Sequence, residues 1–343
     1  MMTSNRKPKV WASFDPPESV IDYLSENLDF SYNATGELAT HEMIHAKLGD
    51  AEGLFVTLRD MVDEDLLNEA PNLKVVSNLA VGYDNVDVKA ASKKGIWVTN
   101  TPGVLTEATA DLAWALLFAV ARRIPEGDRM VRDGSYTGWR HNLLLGTELS
   151  GKTLGIWGGG RIGQAIGRRG LGFNMRIIYN NRSRKEEFER ENNAQFVEFD
   201  ELLQRSDFLV LAMPLNSDTA NQIGRAEFEQ MKRSAFLINI ARGGLIREDE
   251  MIAVLKEQRI AGAGLDVYVD TTGIGAKLGD LDHVVLTPHI GSATHETRRQ
   301  MALMASRNLV DALHGREPEN AVNRKAIYES NIPRNGVRNL ISV

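Results

Sequence analysis

The stretch that leaves this chain the fewest folding options is Gly158-Gly159-Gly160-Arg161-Ile162-Gly163. It follows Leu154-Gly155-Ile156-Trp157, a short apolar run suited to a buried parallel strand. It passes into Gln164-Ala165-Ile166-Gly167-Arg168-Arg169, which suits a helix. The glycines of this G-x-G-x-x-G spacing have steric jobs: Gly158 permits a tight turn, Gly160 lets a pyrophosphate approach the backbone, and Gly163 lets helix and strand pack closely. The helix start then presents unpaired N–H groups and the positive end of its dipole. Glycine-rich turns also serve plain packing. Here a second strand follows at Met175-Arg176-Ile177-Ile178-Tyr179, and that order predicts a dinucleotide-binding unit.

The end of the second strand bears on which dinucleotide. An NAD site wants an acid roughly 20 residues on, to accept hydrogen bonds from the ribose 2′-OH. The chain reads Asn180-Asn181-Arg182-Ser183-Arg184-Lys185, with no acid before Glu186. Two guanidiniums and a hydroxyl suit a 2′-phosphate, because Arg binds phosphate through paired, charge-assisted hydrogen bonds. A solvated basic loop is the ordinary alternative. The missing acid makes NADP the expected cofactor and NAD the less favoured one.

At 343 residues the chain is too long for one ordinary core, so two domains are expected. A net charge of −6, from 40 basic and 46 acidic residues, argues against a broad nucleic-acid surface. The longest apolar run, Leu112 to Ala121, is too short to span a bilayer. Met1-Met2-Thr3-Ser4-Asn5-Arg6-Lys7 leads to a strand and not to a signal-type apolar region. The chain has no cysteine, hence no disulfide, thiolate chemistry or Cys-ligated metal, and no metal site is expected. The expectation is a cytoplasmic protein with no membrane or nucleic-acid partner.

Strands are expected at Val10–Phe14, Gly53–Thr57, Leu73–Ser77 and Ile96–Asn100, with helices from Val20, over Asp63–Asn68, and over Val86–Lys94 ending at Gly95. This alternation predicts an α/β domain with a parallel sheet over residues 1–102. At Thr101-Pro102-Gly103 the pattern changes to a long helix, Leu105 to Arg122, apolar nearly all round and therefore buried. The βα rhythm resumes with strands at Phe208–Met213, Ala235–Asn239, Ala263–Val267 and Val284–Thr287. Residues 103–294 then form a complete dinucleotide domain. A helix over Glu296–His314 and the tail, 295–343, return to the first. The fold class is α/β with two doubly wound parallel sheets. The Pro and Asn content of Arg324–Val343 suggests either a strap or a loose end.

With these residues in view, the chain resembles the D-isomer-specific 2-hydroxyacid dehydrogenases, and within them the glyoxylate/hydroxypyruvate reductase branch. The likeness covers nearly the whole chain. It rests on Asn78-Leu79-Ala80-Val81-Gly82-Tyr83-Asp84-Asn85, on Asn100-Thr101-Pro102-Gly103-Val104-Leu105-Thr106-Glu107-Ala108-Thr109-Ala110-Asp111 and on the glycine turn. Asn239-Ile240-Ala241-Arg242-Gly243-Gly244, Gly264-Leu265-Asp266-Val267, Thr287-Pro288-His289-Ile290-Gly291-Ser292-Ala293-Thr294 and Pro318-Glu319-Asn320-Ala321-Val322-Asn323 extend it. The resemblance implies a Rossmann nucleotide domain inserted into a flavodoxin-like substrate domain, with a cleft between them and a homodimer formed through the nucleotide domains.

It also implies roles. Reducing a 2-oxo acid requires a cation for carboxylate and carbonyl, and an acid for the new alkoxide. Arg242 would be the substrate-binding arginine and His289 the proton donor, a role its near-neutral unperturbed pKa suits. His41, His45, His141, His283, His295 and His314 have no comparable setting. Val81 and Gly82 would offer N–H groups to the substrate carboxylate, and Leu58 and Arg59 would line the substrate site. Arg59 departs from the small or apolar residue expected there, which suits either selection for a larger or more acidic substrate or, equally, a plain solvent-facing arginine. Trp139 resembles a tryptophan lent to the partner subunit's site. The cofactor set would be Thr106, Gly158, Gly160, Arg161, Ile162, Gly163, Asn181, Arg182, Ser183, Arg184, Pro214, Thr219, Ile240, Arg242, Asp266, His289 and Gly291. Within it, Thr106 would lie beside the nicotinamide and Asp266 would hold its carboxamide.

One departure matters. The family carries a Glu five residues after the Asp matching Asp266, where it orients the catalytic histidine and raises its pKa. Here that position is Thr271, in Asp266-Val267-Tyr268-Val269-Asp270-Thr271-Thr272-Gly273. Asp270 reaching His289 in place of the Glu is the leading expectation. The others are an unpaired histidine with a more acidic optimum, or weak catalysis. The resulting expectation is NADPH-dependent reduction of glyoxylate or hydroxypyruvate. A 2-keto-sugar-acid reductase and a nucleotide-gated binding protein are the alternatives.

Overall fold

The computed structural model describes residues 6–329. The readings of Met1–Asn5 and of the tail beyond Glu329 lie outside the described residues. The chain divides into two compact units. One comprises the residues up to Leu105 together with those from Thr294 onward, and the other comprises Thr106–Ala293.

In the first unit, β1 (Lys9–Ala12), β2 (Asp29–Tyr32), β3 (Gly53–Val56), β4 (Val75–Asn78) and β5 (Trp97–Thr99) form an all-parallel sheet in the order β2-β1-β3-β4-β5. That is the flavodoxin-like order, with its reversal between β1 and β3. Every residue of β3 and β4 is buried, as the inner strands of a sheet covered on both faces require. The helix His295–Leu313 closes one face by placing Ala302, Ala305, Leu309 and Val310 against Val10, Val20, Leu24, Phe55 and Val75. Ser77 Oγ donates to Ala305 O at 2.9 Å across this contact. Asp63 and Asp87 cap their helices by accepting from Leu66 N and Ala90 N.

In the second unit, β6 (Thr153–Trp157), β7 (Arg176–Asn180), β8 (Gln195–Phe196), β9 (Phe208–Leu211), β10 (Phe236–Asn239), β11 (Gly262–Leu265) and β12 (Val284–Leu286) form a seven-stranded parallel sheet, β12-β11-β10-β9-β6-β7-β8. The chain winds one way from β6 to β8 and the other way from β9 to β12. The carboxyl ends of β6 and β9 therefore border the crevice where such sheets bind ligands. The long apolar helix, Thr106–Ala121, buries Ala110, Ala113, Trp114, Leu116, Leu117 and Val120 with Ile156, Ile166 and Ile238. Trp114 Nε1 donates to Ile166 O at 3.1 Å.

The strands are shorter than their apolar runs. Thr57, Ala212, Met213, Asp266 and Val267 extend the runs but leave the ladders, because the chain turns there to build loops. Both strands absent from the sequence reading, β2 and β8, are sheet edges with exposed and half-buried residues, so no apolar run marks them.

Candidate active site

The glycine turn after β6 is shaped by close contact. Gly158 has φ 119°, and a Cβ there would lie 2.6 Å from the Ala212 backbone beyond β9. A Cβ on Gly163 would lie 1.9 Å from Gly158 O. Gly160, by contrast, faces open space, with nothing within 4 Å of a built Cβ. The helix Arg161–Leu171 begins there without a side-chain cap, so the N–H groups of its first turn, Arg161, Ile162 and Gly163, have no partner within the helix. This cradle fits a pyrophosphate. Gly158 N donates to Asn180 O, and Gly159 N to Asn181 Oδ1, which ties the turn to the end of β7. Thr219 is buried and its hydroxyl is spent locally, donating to Pro214 O at 2.7 Å and accepting from Asn216 N at 2.9 Å. It shapes the turn beyond β9 from within. Ile240 is buried just past β10.

The two arginines beyond β7 are not equivalent. Arg184 Nε donates to Glu189 Oε1 at 3.0 Å, and Tyr179 OH donates to the same oxygen at 2.7 Å. Arg184 first, and then Tyr179, hold the Glu189 carboxyl below its usual range. Lys185 N donates to Tyr179 OH at 2.6 Å and closes the loop. Arg182 and Ser183 are exposed, and Arg182 has no ion-pair partner among the described residues.

Adjacent strands β10, β11 and β12 bring Arg242, Asp266 and His289 to one edge of this sheet. Asn239, which is buried, pins the arginine's turn: its Nδ2 donates to Arg242 O at 2.9 Å and its Oδ1 accepts from Ala241 N at 3.1 Å. A Cβ on Gly243 would come within 2.2 Å of the Tyr268 carbonyl carbon, so this turn lies directly on the backbone after β11. The Tyr268 hydroxyl sits between the carbonyls of Leu265 and Thr287, and burial pushes its pKa up to about 12. His289 has φ 56°, a left-handed conformation that costs a non-glycine residue on the order of 1 kcal/mol. Asp266, fully buried, holds that loop in place. Its Oδ1 accepts from Thr287 Oγ1 at 2.7 Å and Ile290 N at 2.8 Å, and its Oδ2 from Gly291 N at 2.9 Å. Gly291 also packs on Thr109, in the helix that Thr106 begins.

In the first unit, the loop after β4 has its carbonyls turned inward. Ala80 O accepts from Thr101 N at 2.9 Å, Val81 O from Asn100 Nδ2 at 2.8 Å, and Gly82 O from Asn78 Nδ2 at 2.9 Å. In a planar trans peptide the following N–H points the opposite way. The N–H groups of Val81 and Gly82 are thus aimed outward, and neither has a partner among the described residues. Two successive, unpaired N–H groups suit an anion. The neighbouring loop after β3 carries Leu58 and the exposed Arg59, and is held by buried Asp60, which accepts from Ser13 Oγ, Thr57 N and Thr57 Oγ1.

Residues 114–291 match the model of the D-isomer specific 2-hydroxyacid dehydrogenase NAD binding domain. The chain is 45% identical to a glyoxylate reductase of Thermococcus litoralis over 328 residues, 94% of this chain and 99% of that one. A glyoxylate reductase of Pyrococcus horikoshii is also 45% identical, over 94% of this chain and 97% of its own. The chain belongs to the D-isomer-specific 2-hydroxyacid dehydrogenases. Among solved structures, the TT0316 protein of Thermus thermophilus superposes with a TM-score of 0.85 at 41% identity, covering 92% of this chain and 99% of that one. An NADPH-dependent glyoxylate/hydroxypyruvate reductase of Sinorhizobium meliloti, solved with NADP and malonate, superposes at 0.84 with 29% identity, covering 96% and 100%. The protein is accordingly an oxidoreductase, which answers the alternative of a nucleotide-gated binding protein.

Asp270, the expected partner of His289, has bonds of its own in this dehydrogenase. Its carboxylate closes its own turn, accepting from Gly273 N at 2.8 Å and from Thr272 N and Oγ1, and pairs with Lys277 at 3.1 Å. The Gly273 N–H first, and then Lys277 and Thr272, hold its pKa down to about 2. Glu248 fixes the same segment by accepting from Val269 N and Asp270 N. Thr271, the departure from the family pattern, is exposed. Trp139 is 81% exposed, on a surface excursion that also shows Val131 and Leu145. The bracing asparagines 78, 85, 100 and 239 were not singled out as functional from the sequence. The one signal for them was their position within the motifs that carry the resemblance.

Proposed function

We propose that this dehydrogenase reduces a small 2-oxo acid, glyoxylate or hydroxypyruvate, to glycolate or the D-2-hydroxy acid with NADPH. The observation that carries the reading is the pair of outward-aimed, unpartnered N–H groups at Val81 and Gly82, which suits the carboxylate that every 2-oxo acid presents. Arg242 would bind carboxylate and carbonyl together and draw electron density toward the carbonyl oxygen. His289 would give that oxygen a proton as the alkoxide forms. The dinucleotide, when bound, supplies the hydride. The glycine turn would cradle its pyrophosphate, and Arg182 with Ser183 would meet the 2′-phosphate while Arg184 offers the donors that Glu189 leaves free. The names of the relatives support the substrate, and the Sinorhizobium enzyme's description supports the cofactor.

Oxidation of NADPH and, separately, of NADH with glyoxylate, hydroxypyruvate and 2-ketogluconate, at mildly acidic and neutral pH, tests this. Fast NADPH turnover on glyoxylate or hydroxypyruvate is expected. Turnover on 2-ketogluconate alone would favour a second reading, for which Arg59 speaks: a guanidinium with five donors can bind the hydroxyls of a longer substrate. A homodimer through the nucleotide units and a cytoplasmic location complete the proposal. Light scattering and cell fractionation test these.

A further inference from the structure

The outward aim of Gly82 N–H is set by a side-chain amide, whereas that of Val81 N–H is set by the Thr101 backbone N–H, which holds Ala80 O. Asn100 Nδ2 holds Val81 O, in the peptide that carries Gly82 N–H, and Asn78 Nδ2 holds Gly82 O, in the next peptide of the same loop. Asn78 Nδ2 also donates to Asn85 Oδ1 at 3.1 Å, and Asn85 Nδ2 donates to Thr57 O at 3.0 Å and Asp60 O at 2.9 Å. One buried relay therefore runs from the loop after β4 to the loop after β3, which carries Leu58 and Arg59. It is not optimised for its own stability. Asn78 Oδ1 is buried without a hydrogen-bond partner, and such an orphan calls for a reason beyond folding.

We propose that Asn100 is a positioning residue that aims the Gly82 N–H group at the substrate carboxylate, and that Asn78 and Asn85 are positioning residues that brace the following peptide of that loop and couple it to the Leu58-Arg59 loop. This rests on the reading of Val81 and Gly82 as the carboxylate site. An amide that grips a carbonyl fixes the rotation of the whole peptide plane, and with it the direction of the next N–H. Replacing an amide donor by a carboxylate removes the grip and sets an acceptor against an acceptor, so the plane swings away. The brace lies wholly in the first unit, whereas the glycine turn lies in the second. Losing the grip should therefore weaken carboxylate binding and leave the nucleotide alone.

The test is steady-state kinetics of Asn100→Asp and Asn78→Asp, with inhibition by oxamate, a 2-oxo acid isostere that is not reduced. The expected result is a rise of roughly tenfold in KM for the 2-oxo acid and in the inhibition constant of oxamate, with KM for NADPH unchanged. Asn100 is the milder site, because Asn78 is fully buried and also donates to Asn85, and Asn100→Asp carries the test alone should Asn78→Asp not fold. Unchanged oxamate inhibition in a folded Asn100→Asp would overturn the proposal. So would a parallel rise in both KM values, which would mark a merely structural role. An unmodified protein that turns over no 2-oxo acid would sink the underlying reading itself, and that outcome is visible before any variant is made.

Discussion

Asp266 Oδ1 accepts the backbone N–H of Ile290 at 2.8 Å, and so fixes the residue directly after His289. The same carboxylate takes Thr287 Oγ1 and Gly291 N, so the histidine's loop is held from both sides. The left-handed backbone of His289 persists because these bonds over-determine it. Asp266→Asn turns an acceptor into a donor facing Ile290 N or Gly291 N. A fall in kcat of about a hundredfold is expected, since a misplacement near 1 Å costs that much. Stopped-flow single turnovers with NADPH would show whether the loss falls on chemistry.

Asp270→Asn should leave the pH profile of kcat where it is, because the Asp270 carboxylate is engaged by the Gly273 N–H and Lys277. The effect belongs to stability instead. The folded pKa near 2 lies below the ordinary 3.8, so the carboxylate's contribution is fully present above that ordinary value and is lost as pH falls through about 2. Melting curves should show the variant less stable than the unmodified protein at neutral pH, with the gap closing in the acid range.

Arg182→Ala should raise KM for NADPH by tenfold or more and leave KM for NADH unchanged, because a hydrogen bond to a charged group contributes about 1.5–3 kcal/mol. Equal effects on both cofactors would mean that Arg182 meets something other than the 2′-phosphate.

Gly163→Ala forces a Cβ to within 1.9 Å of Gly158 O, so strand and helix must part. A loss of about 1–3 kcal/mol, the usual range for overpacking, is expected in urea unfolding, with weaker retention on a nucleotide-affinity column.

Trp139→Ala separates a partner role from solvent exposure. With Trp139 lent to a neighbouring subunit's site, kcat/KM for the 2-oxo acid should fall in the variant while light scattering still reports a dimer.

Much of this architecture was legible in the chain. Apolar runs located ten of the twelve strands among the described residues, and the glycine spacing located the turn after β6. Loop geometry was not legible. Val267 reads as a strand residue by its apolar character, yet the ladder stops at Leu265 and Asp266 turns to serve the histidine's loop. Arg184 reads as a free cation, but its partner Glu189 sits on the following helix and is visible only in three dimensions. Residue types gave no hint that Asp270 would spend itself on Gly273 and Lys277.

The helix His295–Leu313 fills the apolar face left by Val10, Leu24, Phe55 and Val75, yet it is made only after both sheets. A ribosome therefore releases the whole nucleotide unit, able to close its own core, while the first hundred residues still lack their covering helix. The amino-terminal segment emerges first and matures second. In the living cell its waiting greasy surface, more than the catalytic unit, is where a chaperone would be needed.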